Sequence, residues 1–158
     1  MVSMTDTPAL VDPRLSGVAH TVVTHGRVSS LEEAATLRGV DPSAVIKTMV
    51  VRRGEGDYVF ILVPGDRVID WPKLRSTLGE RRLSMPDADE ALAATGYVRG
   101  TITPFGASTP WPVIADSRVE GRSVSIGGGA HGVSITIDGN DLITAIDAET
   151  SDITRLLT

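Results

Sequence analysis

The chain has 158 residues, 41% hydrophobic and 22% charged, enough to bury one full core and too few for two. It contains no cysteine, which excludes disulfide scaffolds, thiolate metal sites and cysteine nucleophiles. A net charge of -5 excludes a protein that wraps duplex nucleic acid in an overall positive field.

Residues 1–8 lack the basic-then-apolar pattern of a signal peptide, and the longest apolar run, 58–63, is strand-length and far short of a membrane span. A soluble, cytoplasmic protein with no membrane partner is therefore expected. His20 to Thr24 reads as a short strand. Ser30-Leu31-Glu32-Glu33 forms a capping box, with Ser30 accepting from a backbone amide and Glu33 reaching back. The helix it opens should stop near Gly39. After a brief turn at Asp41-Pro42, the β-rich runs 45–51 and 58–63 flank Arg52-Arg53-Gly54-Glu55-Gly56-Asp57, a hairpin signature. Asp70-Trp71-Pro72 starts a second helix ending at Gly79. A third begins near Pro86-Asp87, with acids in its first turn where the helix dipole favours them, and ends at Gly96. Strands are expected at 112–115, 123–126 and 133–137, then a helix from Asn140 through Ile146.

There is no internal repeat and no low-complexity linker. The reading is a single domain over 1–158, with its core at about 20–147 and only the first dozen and last few residues dispensable. Short helices between strands that pair by hairpins indicate the α+β class, with a largely antiparallel mixed sheet forming a partly closed barrel flanked by helices.

Most chemical motifs fail. The run Gly127-Gly128-Gly129-Ala130-His131-Gly132 lacks a Walker lysine and lies between two strands, where a dinucleotide fingerprint needs strand then helix. It reads as a tight turn. His20, His25 and His131 lack metal-ligand spacing, so no metal and no cofactor are expected. No serine occupies a G-x-S-x-G elbow, and Asp87 with Glu90 suits a helix N-terminus better than acid/base chemistry. Charge is uneven: residues 1–82 carry a balance of +1 and residues 83–158 one of -6. The basic residues gather at Arg52-Arg53, Arg67, Lys73, Arg75 and Arg81-Arg82, ordinary solvated surface or a modest RNA-contacting face.

What survives is Lys47, a charge inside the apolar strand Val45-Ile46-Lys47-Thr48-Met49-Val50-Val51. About fifty residues later comes the glycine and proline segment Gly96-Tyr97-Val98-Arg99-Gly100-Thr101-Ile102-Thr103-Pro104-Phe105-Gly106. A charge in a run built for burial is costly unless compensated, and without the loop Lys47 would read as snorkelling from an edge strand. A rigid glycine and proline loop presents backbone groups to a ligand.

These segments, in order with Gly39-Val40-Asp41-Pro42 and Val63-Pro64-Gly65-Asp66, resemble the YbaK/EbsC family, free-standing relatives of the editing domain of bacterial prolyl-tRNA synthetases. The resemblance covers roughly residues 20 to 147. It implies the YbaK-type fold and a deacylase acting in trans on mischarged tRNA, with the tRNA 3' end, and a synthetase, as partners. It also implies a catalytic set of Lys47, Gly100 and Pro104: the lysine holds the tRNA end, and the amides of the loop from Gly100 to Pro104 hold the aminoacyl carbonyl. Thr48 follows the lysine as in the Cys-tRNA deacylase branch. Thr101, Ile102, Thr103, Phe105, Gly106, Gly129 and His131 are the expected substrate-binding positions, and Asp116 is a secondary candidate. The chain departs from the commoner family residues at Thr101 and Thr103 and in the glycine-rich turn. Lys47 is expected to anchor substrate and not to act as a base, because nothing in the sequence depresses its pKa. The competing reading is a non-catalytic module of the same fold that binds a tRNA end, a nucleotide or a synthetase.

Overall fold

The least polar strand of the sequence lies at the centre of the structure, a computed structural model that describes residues 7–26 and 28–157. In chain order the elements are α1 (Pro13–Ser16), β1 (His20–Thr24), α2 (Leu31–Arg38), a 3₁₀ turn (Pro42–Ala44), β2 (Val45–Gly54), β3 (Asp57–Pro64), β4 (Arg67–Ile69), α3 (Trp71–Leu78) and α4 (Ala88–Thr95). They continue with β5 (Val113–Asp116), a second 3₁₀ turn (Ser117–Val119), β6 (Ser123–Gly127), β7 (Val133–Asp138), α5 (Gly139–Ala145), β8 (Glu149–Ser151) and β9 (Thr154–Leu156). Seven strands form one mixed sheet in the order β1-β7-β6-β2-β3-β5-β8, and β4 pairs with β9 alone. The pairs β1·β7, β6·β7 and β2·β3 are antiparallel; β2·β6, β3·β5 and β5·β8 are parallel. The α+β class and the helix-flanked mixed sheet are as expected.

All of β3 except its first residue is buried, as a strand covered on both faces must be. Alternation sends Phe60 and Leu62 to one face with Ile46, Val50, Phe105 and Ile126. Val59, Ile61 and Val63 go to the other with Leu74, Ile114 and Ile153. The helices start where side-chain caps satisfy their first amides: Ser30 accepts from the Glu33 amide, Asp70 from Lys73 and Asp87 from Glu90. Only half of the capping box forms, because the Glu33 carboxylate accepts the Ser29 hydroxyl at 2.9 Å instead of reaching back to Ser30.

Both chain ends depart from the expectation that they are dispensable. Within the first dozen residues Ala9 is fully buried and Asp12 is buried, and near the other end Ile153 and Thr154 are fully buried. At the C-terminal end β9 pairs with β4, Ile69 opposite Thr154. The buried carboxylate of Asp116 accepts from the Ile153 amide at 3.2 Å and the Thr154 hydroxyl at 2.9 Å. Residues 1–6 of the opening stretch lie outside the described residues. Among the described residues no helix is long and apolar enough to cross a membrane.

Candidate active site

The glycine and proline segment, 96–106, leaves the end of α4 and is held in shape from both sides. Tyr97 is buried and its hydroxyl donates to the Phe105 carbonyl at 2.7 Å, closing the loop on itself. Burial and the nearby Asp12 charge push that phenol up to about 12, so it remains a donor at neutral pH. From outside, the residues around α1 form a strut. The Asp12 carboxylate accepts the Gly106 amide at 2.7 Å, and the Arg14 guanidinium donates to the Pro104 carbonyl at 2.8 Å. Arg14 also pairs with Asp12 at 2.8 Å and lies 5.9 Å from the centre of the Phe105 ring. Burial raises the Asp12 carboxyl, but the Arg14 side chain and the Gly106 and Arg14 amides outweigh it and hold the group below the ordinary carboxylate range. At Gly106 the backbone has φ 68, and a Cβ would lie 2.3 Å from the Pro8 carbonyl carbon. No other residue fits that contact.

The loop faces a gap in the sheet. β6 pairs with β2 only at Val45 and Ile46, and the next partner on that edge is Ser84, which exchanges two backbone hydrogen bonds with Arg52 at 2.8 and 3.1 Å. Between them the edge of β2 is open. Because antiparallel strands alternate the side to which each residue turns its N–H and C=O, Thr48 and Val50 turn theirs the same way as Arg52, into the opening. A cavity of about 440 Å³ fills it, with Arg38, Lys47 and Thr48 on one side and Arg99, Gly100 and Ile102 on the other. The N-terminus of α4, with Asp87 and Ala88, closes one end. Three cations and one carboxylate line this space, a balance suited to an anionic ligand.

Several polar groups in the wall have nothing to bind. The Arg38 Nε and the Thr48 hydroxyl are buried without a partner, and the one hydrogen bond of the Arg38 guanidinium among the described residues is a long one, from Nη1 to the Ser125 hydroxyl at 3.5 Å. Among the described residues the amides of Gly100 and Ile102 have no acceptor, whereas the Thr101 amide is bound to the Val98 carbonyl at 3.0 Å. A buried polar group left unpaired costs roughly 1–3 kcal/mol, a penalty that falls on the Arg38 Nε and the Thr48 hydroxyl. Gly100 is exposed and Ile102 half-buried, so their amides are open to a ligand, and the convergence of these donors on one cavity marks a ligand site. Lys47 donates to the Arg67 carbonyl at 2.8 Å. Contrary to expectation its pKa is depressed: burial lowers it, and the Asp66 carboxylate only partly opposes this.

The expected site residues thus divide. Lys47, Thr48, Gly100 and Ile102 line the cavity. Thr101, Thr103, Pro104 and Phe105 are buried: the Thr101 hydroxyl donates to Val98, Phe105 belongs to the core and the Thr103 hydroxyl has no partner. Gly129 packs on Tyr97, its Cβ position 3.1 Å from the ring. His131 is exposed, and its Cε1 lies 3.2 Å from where a Gly100 Cβ would stand, bringing the glycine-rich turn onto the loop. Asp116 belongs to the C-terminal anchor. Arg38 was not anticipated: at the end of a helix it reads as an ordinary dipole-complementing cation, and only the tertiary structure turns it inward. Among the described residues no group of three or more His, Asp and Glu is placed to hold a metal ion.

Residues 25–145 match the model of the aminoacyl-tRNA editing domain family. The prolyl-tRNA ligase of Trichlorobacter lovleyi is 35% identical over 58% of this chain, and the match spans 16% of that enzyme's length. EbsC of Enterococcus faecalis, described as a candidate Cys-tRNA(Pro)/Cys-tRNA(Cys) deacylase, is 24% identical over 79% of this chain and 77% of its own. A crystal structure described as a candidate trans-editing enzyme for prolyl-tRNA synthetase shares the fold, with TM-score 0.82 and 23% identity over 98% of this chain and 99% of that one.

Proposed function

Since the chain belongs to the aminoacyl-tRNA editing domain family, we propose that it is an aminoacyl-tRNA deacylase acting in trans, and that its chemistry takes place in the cavity between β2 and the 96–106 loop. The observation that carries this reading is the set of donors lining one space without an acceptor among the described residues, the Gly100 and Ile102 amides on one wall and the Arg38 Nε on the other, where the Lys47 cation stands beside it. An ester between an amino acid and a ribose hydroxyl is already activated, so no side-chain nucleophile is needed. Water attacks the carbonyl carbon, a C–O bond forms to it, the bond to the ribose oxygen breaks, and that oxygen takes up a proton originating from the water. Negative charge develops on the carbonyl oxygen, where preset amides are worth roughly 3 kcal/mol per donor. Gly100 and Ile102 supply those amides. Lys47 and Arg38 hold the phosphate of the terminal nucleotide, Lys47 as a point charge and Arg38 through its planar fork. The open Thr48 and Val50 edge of β2 offers further backbone partners.

The chain matches a candidate Cys-tRNA deacylase along most of that protein's length, and this supports action in trans with tRNA as partner. A panel of cysteinyl-, alanyl- and prolyl-tRNAs incubated with excess enzyme tests the proposal. Hydrolysis of at least one ester above its spontaneous rate is expected. Binding of uncharged and charged tRNA with no hydrolysis of any would favour the non-catalytic module.

A further inference from the structure

Just beyond the cavity, along the same edge of β2, lies a groove of about 550 Å³ whose wall holds Arg52, Arg53, Arg75, Arg81 and Arg82 and no acidic residue. These arginines come from three places in the sequence: the end of β2, the last turn of α3 and the stretch after it. Two are partly neutralised, Arg53 by Asp57 at 2.9 Å and Arg52 by Glu90 at 3.4 Å. The guanidinium groups of the other three make no ion pair or hydrogen bond among the described residues. Five like charges lie close together in a protein whose net charge is -5. Such packing is self-repulsive within a Debye length of about 8–10 Å, and a polyanionic partner relieves that repulsion.

We propose that this groove binds the phosphodiester backbone of the tRNA acceptor strand as it leaves the cavity, an inference that rests on the deacylase reading. The path is continuous: Ser84 lies in the groove and Met85 in the cavity, while the Arg52–Ser84 bridge forms the sill between them. A nucleotide whose terminal phosphate is held by Arg38 and Lys47 therefore sends its 5' neighbours over Ser84 and onto the arginines. Planar guanidinium groups match phosphate oxygens two by two, whereas the acidic half of the chain, 83–158, offers such a ligand no comparable surface.

The test uses an uncharged acceptor-stem hairpin RNA ending in a single-stranded CCA, its binding followed by fluorescence anisotropy across a salt series. Arg81→Ala with Arg82→Ala should weaken binding and reduce the slope of log K against log salt by about 1 for each arginine removed. The corresponding double lysine variant should keep the slope. Unchanged affinity and slope in the alanine variant would overturn the proposal. So would an equal loss in the alanine and lysine variants, which would mark a packing role, or equal competition by polyglutamate, which would mark an acidic protein partner. Because the RNA is uncharged, this readout does not depend on hydrolysis. The panel of charged tRNAs decides the deacylase reading and the salt slope decides the groove.

Discussion

The Asp12 carboxylate accepts the Gly106 amide at 2.7 Å across 94 residues of sequence, and through Arg14 it also fixes the Pro104 carbonyl. The rim of the candidate site is therefore held by a segment outside the seven-stranded sheet. Asp12→Ala leaves the Arg14 charge and the Gly106 amide unpaired. It should cost about 2–3 kcal/mol in denaturant unfolding and lower kcat/KM through a loosened loop. Asp12 titrates below its unfolded value in the fold, so its stabilisation is present above the unfolded pKa and is lost as pH falls through the folded one. Asp12→Asn should lack that acid-limb loss, which a stability series run downward in pH from above the unfolded aspartate value of about 3.9 will read.

Arg38 separates function from stability. Its guanidinium is largely desolvated, which lowers its pKa, and it has no carboxylate partner among the described residues. Replacement by Met removes a buried unpaired charge and should leave unfolding stability unchanged or raised by up to about 1 kcal/mol. The same variant should raise KM for aminoacyl-tRNA by about 10-fold or more with little change in kcat. Parallel loss of stability and activity would show that Arg38 is structural.

Lys47 sets an alkaline limit. Burial makes its cation less favourable, so the phosphate-holding charge disappears at lower pH than for an exposed lysine. The kcat/KM profile should fall with a limb below the ordinary lysine value of about 10.4. In Lys47→Ala that limb should be absent. On the stability side the sign is opposite: above the folded pKa the native state no longer buries a charge, so Lys47 weakens the fold less as pH rises.

Gly100 and His131 should be coupled. With φ 91 and His131 Cε1 3.2 Å from its Cβ position, Gly100→Ala meets both backbone strain of about 1–2 kcal/mol and a neighbour able to swing away. Adding His131→Ala should recover part of the lost activity, measured as a double-mutant cycle.

Much of this was legible in the sequence because it is local. The β2–β3 hairpin follows from two β-rich runs around Gly54-Glu55-Gly56, and α2, α3 and α4 follow from Ser30, Asp70 and Asp87 caps and terminal glycines. The strands β4, β8 and β9 have three residues each, too few to generate a period. The strut at Asp12 and the inward turn of Arg38 depend on contacts 94 and 87 residues apart, which no spacing rule encodes. Lys47, Thr48, Gly100 and Ile102 are identifiable as a charge in a strand and a rigid loop. That Thr101, Thr103, Pro104 and Phe105 support the loop from beneath depends on which way the loop turns.

The account stands or falls on whether the cavity performs the hydrolysis. The most direct measurement is single-turnover deacylation of the tRNA best cleaved in the panel, by the wild type and by Lys47→Ala, with circular dichroism establishing that both are folded. With enzyme below saturation, the account predicts a loss of about 10-fold or more in the variant, the scale of removing one charge-assisted phosphate contact. Equal rates in two folded proteins would place the chemistry elsewhere and contradict it.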